Sequence, residues 1–276
     1  MKKHSSWQDY AKDVSQKLPG FFQSIRLPEV EAWLERSFWL YSFVQEDIDS
    51  EITENKDVAQ ILLPLITVAH DLLRGLIHAQ GSVLLAAATL QCRTAFEIRC
   101  TIAFITENQD PKKYADRFAR YADVERFAYQ SGSPNAPKLP EAELEAIRRR
   151  CPEWFRPDGT LRPRMNWTAD EQTNSIKRIA EAVGLLEDYQ RGYALSSKIT
   201  HGSPAVRNFY RGTFGSGALF LVADPAMCAS QTILGASHCL MALIDFCLFA
   251  GIALPQEEIF LHQMEVKRLM QAPDVE

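Results

Sequence analysis

The chain has 276 residues, of which 46% are hydrophobic and 24% are charged, and its formal net charge is −5. That apolar content is enough for a sizeable buried core, in one large domain or two small ones. The negative balance excludes a globally basic nucleic-acid binder and leaves room only for a local basic patch.

The first 55 residues predict a helical segment that packs on the core of the remaining chain. The opening MKKHSSWQDYAKD is polar and lacks the apolar run of a secretory signal, so we expect a cytoplasmic protein. Pro28 stands where a helix over 29–50 would begin, and the apolar residues of that helix recur at three-four spacing, which indicates one buried face.

Two long apolar helices are predicted next, from about 57 to 80 and from about 82 to 107. Pro64 is expected to kink or divide the first of them. The uncharged runs 75–92 and 225–244 approach the length of a membrane span, but histidine, glutamine, serine and threonine interrupt both. We therefore interpret both runs as buried core helices and expect no membrane contact.

Six of the 14 prolines fall between residues 131 and 163, so 131–167 is interpreted as a Pro- and Arg-rich insertion with one short helix, 140–150. The segment RGTFGSGALFLVADP is either a loop or a short strand pair. Further helices are predicted over 111–130, 168–183, 185–199, 225–250 and 255–271. The expected fold is all-α: a bundle of four or five long helices over 56–276, with the insertion at its edge.

Six cysteines are scattered without a C-x-x-C pair, which favours reduced, buried thiols over a disulfide framework or a zinc site. His70, Arg74 and His78 fall on one helical face at spacing four. Histidines on one helical face are candidate metal ligands. No H-E-x-x-H motif accompanies them, and we expect no metal and no cofactor.

Arg93 and Glu97 lie four residues apart on one face of a helix that is otherwise nearly all apolar. An ion pair inside such a helix is costly unless its groups are satisfied. Two interpretations stay open. The pair is either a buried salt bridge that fixes the register of the helix or part of a polar site within the bundle.

The stretch YALSSKITHGSP places Tyr193, Ser197 and His201 four residues apart along one polar stripe. A histidine in a last turn, followed by Gly202, explains the end of a helix by capping. A Ser197–His201 pair would also form a nucleophile in principle, but no G-x-S-x-G elbow is present, which argues against an acyl hydrolase. We predict that the stripe faces the helix of Arg93 and Glu97.

Arginines with interleaved aromatic residues form a candidate surface for nucleic acid, because guanidinium groups contact phosphates and rings stack on bases. The alternative is a solvated loop that Trp154 and Trp167 anchor. The predicted nucleic-acid-binding residues are Arg117, Arg120, Arg148, Arg149 and Arg156.

Three segments together resemble a bacterial domain-of-unknown-function family, number 5677: LLAAATLQCRTAFEIRCTIAFI, YADRFARYADVER and SIKRIAEAVGLLEDYQRGYALSSKITHGSP. The family pattern has an Arg-x-x-x-Glu helix, an Arg-Phe-x-x-Tyr-like helix and a Tyr-x-x-x-Ser-x-x-x-His-Gly element. The matching residues are Arg93, Glu97, Arg117, Phe118, Tyr121, Tyr193, Ser197, His201 and Gly202.

The family looks similar to the HEPN helical domains of toxin and phage-defence systems, many of which are metal-independent ribonucleases. Their signature has an arginine four to six residues before a histidine, whereas here Arg191 precedes His201 by ten. The resemblance implies an RNA-cleaving or RNA-binding effector that forms a homodimer or higher oligomer. Its candidate catalytic residues are Arg93, Glu97, Tyr193, Ser197 and His201. The alternative is a non-enzymatic interaction or small-molecule-sensing module whose polar residues form a buried network.

Overall fold

The structure, a computed structural model, describes residues 28–46, 48–81, 84–132, 138–163, 165–200, 210–215, 218–223 and 225–270. As predicted, the fold is an all-α helical bundle. The helices are α1 (Pro28–Gln45), α2 (Ile48–Glu51), α3 (Lys56–Gly81), α4 (Leu85–Thr106), α5 (Pro111–Gly132), α6 (Glu141–Arg150), α7 (Ile176–Ala182), α8 (Leu186–Asp188), α9 (Ala194–Thr200), α10 (Pro225–Ala250) and α11 (Gln256–Met270). A hairpin of β1 (Tyr210–Gly215) and β2 (Ala218–Ala223) joins α9 to α10, and Gly215 pairs with Ala218 beside its turn.

Helices α4 and α10 form the centre of the bundle, with α3 against both and α1 on the outside of α3. Both central helices are apolar on nearly all sides, which is the pattern of a helix that is buried on all sides. Gly235 allows these two helices to approach closely, because a Cβ atom there would lie 3.0 Å from the Cα atom of Cys92. All six cysteines are buried and free, in agreement with the expected reduced thiols.

Pro64 does not divide α3, which runs without interruption from Lys56 to Gly81. A proline removes the backbone hydrogen bond to the carbonyl four residues earlier, here that of Gln60. Both Pro64 and Gln60 lie on the exposed face, where water can solvate that carbonyl. Of the two outcomes expected at Pro64, a kink or a division of the helix, the structure excludes the division.

The predicted helices over 168–183 and 185–199 are more broken than their periodicity indicated. The first is reduced to a 3₁₀ turn, Glu171–Thr173, and the short helix α7. The second is α8 and α9 with a π-helical turn, Tyr189–Tyr193, between them. Gly184 separates the two as predicted and adopts a φ of +70°, a left-handed conformation that favours glycine.

The insertion has a small hydrophobic core of its own against α5. This core consists of Val124, Phe127, Ile147, Cys151, Trp154 and Phe155. The chain leaves α6 through a 3₁₀ turn, Pro152–Trp154, and an isolated β-bridge then pairs Phe155 with Leu161. The short helix predicted over 140–150 is thus confirmed, and its apolar face is buried within the insertion rather than in the bundle core.

Two helical stretches, Lys56–Gln80 and Met227–Ala250, are long and apolar enough to cross a membrane by length and composition alone. The more apolar of the two, Met227–Ala250, belongs to the central helix α10, and 61% of its most apolar window is buried. Core helices of soluble proteins pass the same test, so this finding is weak evidence for a span. The uncharged run 75–92 is divided between α3 and α4, in agreement with the helices predicted over 57–80 and 82–107.

The contact between α4 and α10 predicts that Gly235→Ala lowers the free energy of unfolding by about 1–3 kcal/mol, as overpacking does in other cores. The reason is that the new methyl group would lie 3.0 Å from both Cα of Cys92 and Cδ1 of Leu76, and the backbone atom cannot turn aside as a side chain can. Gly192→Ala is the matched control, since its Cβ would meet only Leu234 Cδ1 at 3.6 Å. Urea denaturation measures both variants, and wild-type stability in Gly235→Ala would contradict the close contact.

Candidate functional site

Arg93, Glu97 and Tyr193 form one hydrogen-bonded group between α4 and the π-helical turn. Arg93 Nε donates to Glu97 Oε1 at 3.1 Å, and the Tyr193 hydroxyl donates to the same oxygen at 2.7 Å. The Arg93 guanidinium also lies over the Tyr193 ring, 5.4 Å from its centroid. The side chains of Arg93 and Glu97 are 24% and 41% exposed, so the group is reached by solvent on one side.

The π-helical turn positions Tyr193 for this contact. Its rings form a cluster on α4: Tyr189 stacks on Tyr193 with centroids 5.1 Å apart, and Phe96 packs against Tyr193 at 5.3 Å. A π-helical turn inside an α-helix widens the backbone locally and frequently accompanies a functional position. Here it presents two tyrosines to one helix, with the Tyr193 hydroxyl directed to Glu97.

Burial raises the pKa of Tyr193 well above its usual value, and the hydrogen bond to the Glu97 carboxylate raises it further. The phenol therefore stays protonated and acts as a hydrogen-bond donor. For Arg93, burial acts to lower the pKa, but the hydrogen bond to Glu97 and the neighbouring Tyr193 more than offset it. The group is thus a fixed cation, a carboxylate and a neutral donor.

The two serines of α9 have different surroundings. Ser196 is buried, and its Oγ lies 2.9 Å from the Gly192 carbonyl and 2.7 Å from Oε1 of the buried Gln231 on α10. Ser197 lies half-buried one turn after Tyr193. His201 lies outside the described residues, so the predicted Ser197–His201 pair stays a prediction.

A second polar cluster, which the spacing of residues did not predict, lies on the same helix. Arg99 Nη1 contacts Asp188 at 2.8 Å and Nδ1 of the buried His238 at 3.3 Å. Burial, together with the Arg99 charge, lowers the pKa of His238 to about 3, so the ring is neutral and accepts from Arg99. Arg99 pairs with Asp188, and Glu97 of the same helix pairs with Arg93. The sequence feature that could have revealed this cluster was the single histidine in the apolar helix α10.

The arginines predicted to bind nucleic acid divide into two sets. Arg120 is held by both carboxylate oxygens of Glu153 and by the Arg150 carbonyl, and it lies over the Trp154 ring. The others of this first set also have internal partners: Arg117 with the Thr168 carbonyl, and Arg148 with Glu141 and the Phe127 ring. Arg149 and Arg156 are exposed and make no ion pair with a described residue. Of the five arginines predicted to bind nucleic acid, Arg149 and Arg156 therefore remain accessible to a phosphate.

The histidines considered as metal ligands have other roles where the structure describes them. His70 Nε2 lies 2.9 Å from Ser42 Oγ, and the ring stacks on Phe38 with centroids 4.7 Å apart. His78 is exposed near the end of α3. Among the described residues, no group of three or more His, Cys, Asp or Glu side chains is arranged to hold a metal ion.

The fold and this group define a helical-bundle protein with a partly exposed Arg–Glu–Tyr group between a core helix and a π-helical turn. Residues 60–217, more than half of the chain, match the family of unknown function DUF5677, and the chain belongs to that family. No curated protein and no solved structure matches the chain. The match contains Arg93, Glu97 and Tyr193.

The geometry predicts that Tyr193→Phe lowers the free energy of unfolding by about 1 kcal/mol, because Glu97 loses a hydrogen bond while remaining partly solvated. Tyr189→Phe is the control, since the Tyr189 hydroxyl makes no hydrogen bond with a described residue. We expect its effect to stay within about 0.5 kcal/mol. Thermal and urea unfolding compare the two, and equal losses would contradict the role assigned to the Tyr193 hydroxyl.

A second prediction concerns Asp245, which lies half-buried on α10. Burial raises its pKa to about 6 from an ordinary 3.8, with Arg99 opposing and Glu107 reinforcing the shift. Because the folded pKa is the higher one, the unfolded chain loses this proton first, and the contribution of Asp245 to stability falls as pH rises from 3.8 to about 6.

Asp245→Asn should therefore gain stability relative to the wild type across that interval, on the order of 1–2 kcal/mol after solvent screening. Urea unfolding from pH 3.5 to 7 gives the difference between the two proteins, so contributions from His238 and other groups cancel. A difference that is constant with pH would contradict the raised pKa.

Proposed function

We propose that this protein binds single-stranded RNA and cleaves it without a metal ion, with the Arg93–Glu97–Tyr193 group as the phosphate-binding part of the site. The observation that carries this proposal is the partly exposed guanidinium of Arg93, held from two sides by Glu97 and Tyr193. A fixed cation at the position where charge develops stabilises a transition state without reorganisation.

We assign the phosphate contact to Arg93 in preference to Arg120, one of the arginines predicted to bind nucleic acid. Arg120 already makes two hydrogen bonds to Glu153, so a phosphate would have to displace a carboxylate. Arg93 Nε donates to Glu97, the Arg93 side chain is 24% exposed, and a planar guanidinium can bind a phosphate through two parallel N–H groups. The single carboxylate of the group is already shared, and a divalent cation needs several oxygen ligands.

The chemistry requires a base and an acid beside this cation. A base takes the proton of the ribose 2′-hydroxyl, whose oxygen bonds to phosphorus. The bond from phosphorus to the 5′-oxygen then breaks, and an acid protonates that oxygen. The products are a 2′,3′-cyclic phosphate and a free 5′-hydroxyl. His201, which directly follows the last residue of α9, is the residue that we assign to this proton transfer.

The remaining contacts to the strand are assigned to Arg149 and Arg156 on the insertion. Both are exposed, and their guanidinium groups are not engaged in an ion pair with a described residue. Contacts of this kind bind the backbone without regard to sequence and weaken as salt increases.

The test is cleavage of a fluorescent single-stranded RNA in EDTA by the wild type and by Arg93→Gln. We expect the variant to be about 100-fold slower or more, because one charged stabilising group is lost. Arg74→Gln is the matched control: Arg74 is also a helical arginine over an aromatic ring, 5.7 Å from the centroid of Phe38. The Arg74→Gln variant should cleave the RNA at the wild-type rate.

Equal rates in Arg93→Gln and the wild type would remove Arg93 from the mechanism. RNA that stays intact with every protein, while the wild type is folded by circular dichroism, would remove the nuclease proposal as a whole. Loss of cleavage in the Arg74→Gln control as well would show a general effect of charge on RNA binding.

The second candidate is a non-enzymatic interaction module, and the buried hydrogen bonds between helices favour it. Ser196 on α9 bonds to Gln231 on α10, and Thr232 on α10 bonds to Gln80 on α3 at 3.1 Å. Arg99 on α4 contacts Asp188, the last residue of α8. Such a network fixes the register of helices whatever their function. This candidate predicts that Arg93→Gln changes unfolding but no reaction of the folded protein.

A further inference from the structure

A cavity of about 230 Å³ lies between α1, α10 and α11, away from the Arg93–Glu97–Tyr193 group. Its wall is almost entirely apolar. Representative lining residues are Leu40, Leu240, Met241, Leu243, Ile259 and Val266. An engineered apolar cavity of about 150 Å³ is enough to bind benzene, so this one can hold a ring with a short substituent.

Three polar residues, Ser237, His262 and Gln263, are among those that line this cavity. Oγ of Ser237 and Nδ1 of His262 are inaccessible to solvent, and neither has a hydrogen-bond partner among the described residues. His262 as a whole is 3% exposed. Leaving a buried polar atom unpaired is costly, so two of them in residues of one cavity wall indicate a bound polar group.

The hydrogen bonds of Ser37 decide which form His262 takes. The Ser37 hydroxyl donates its only hydrogen to the Trp33 carbonyl at 2.8 Å, and His262 Nε2 lies 2.9 Å from the same hydroxyl oxygen. That oxygen must therefore accept from Nε2–H. In a neutral imidazole with hydrogen on Nε2, Nδ1 carries a lone pair and acts as an acceptor.

His262 is also held neutral and in place. Its ring stacks on Trp33 with centroids 4.5 Å apart and an angle of 18° between the planes. Burial, with the Arg36 charge in addition, lowers the pKa of His262 to about 4. An anionic ligand would find no charge partner in this wall, whereas a neutral hydroxyl can donate to Nδ1.

We propose that the cavity between α1, α10 and α11 is a binding site for a small neutral amphipathic molecule, with an apolar ring or short chain and one hydroxyl that donates to His262 Nδ1. Ser237 supplies a second hydrogen-bonding group in the same wall. This site is independent of the proposed RNA chemistry.

Helix α11 forms one wall of the cavity, and the way it is held suits entry of a ligand. Two ion pairs attach it to α1: Arg36 with Glu265 at 2.8 Å and Arg268 with Glu29 at 3.0 Å. Three of these four side chains are more than half exposed, and exposed ion pairs contribute little to stability. Movement of α11 therefore widens the cavity at small cost, and a ligand that contacts His262 should hold α11 in place.

The test uses two probes of equal shape, 4-propylphenol and 4-propyltoluene, which differ only in a hydroxyl against a methyl group. Titration calorimetry should show that the wild type binds the phenol roughly 3- to 10-fold more tightly, the difference that one net hydrogen bond makes. Hydrogen exchange in α11 should slow when the phenol is bound.

His262→Phe keeps an aromatic ring against Trp33 and removes the acceptor, so the preference for the phenol should disappear. His70→Phe is the matched control. His70 also pairs through Nε2 with a serine of α1 that donates to a backbone carbonyl, and it also stacks on an aromatic ring. It does not line the cavity, and the preference should be unchanged.

Two further measurements do not depend on how His262→Phe folds. Met241→Trp fills the cavity and should abolish binding of both probes. In the wild type, the ¹⁵N resonance of His262 Nδ1 should shift on addition of the phenol and stay in place with the toluene. Absence of binding, equal affinities for the two probes, an unmoved Nδ1 resonance, or full binding by Met241→Trp would each overturn the proposal.

Discussion

The close packing of α4 against α10 is the constraint on which the rest of the structure depends. Without a side chain at Gly235, α10 lies near enough to α4 to bury both helices, and α3 and α1 then cover the remaining apolar faces. Two helices that are apolar on nearly all sides cannot orient themselves by a hydrophobic stripe, because none of their faces is clearly the outer one. The polar residues within them supply that orientation.

Those polar residues lie where the chain between Gly184 and the hairpin crosses α4. Arg99 reaches Asp188 and Glu97 accepts from Tyr193, with Phe96 packed against the tyrosine rings between them. The π-helical turn brings these groups into register with α4. A structural network and a partly exposed guanidinium thus arise from the same few residues. For that reason the choice between enzyme and interaction module depends on the chemistry of Arg93 rather than on the presence of the network.

The sequence predicted contacts within one helix and the approach of Tyr193 to the helix of Arg93 and Glu97, but it missed the other contacts between helices. The Arg93–Glu97 pair follows from a spacing of four, and the break at Gly184 follows from the conformational freedom of glycine. The Arg99–Asp188 pair joins residues 89 positions apart, which no local pattern reveals. The arginines predicted to bind nucleic acid were recognisable in the sequence as positive charges. Some of their carboxylate partners come from other elements, as Glu153 does for Arg120 on α5, so the composition overstated the charge that remains accessible.

The two proposed sites lie in different parts of the chain. The family match, 60–217, contains the Arg93–Glu97–Tyr193 group, whereas the cavity residues come from α1, α10 and α11, outside that range. His262 and His70 share one local pattern of contacts but lie in different surroundings. Each pairs with a serine of α1 and stacks on an aromatic ring, but only His262 has a buried nitrogen left without a partner among the described residues. His262 lines the cavity between α1, α10 and α11 and His70 does not, so we propose a recognition role for His262 and a packing role for His70.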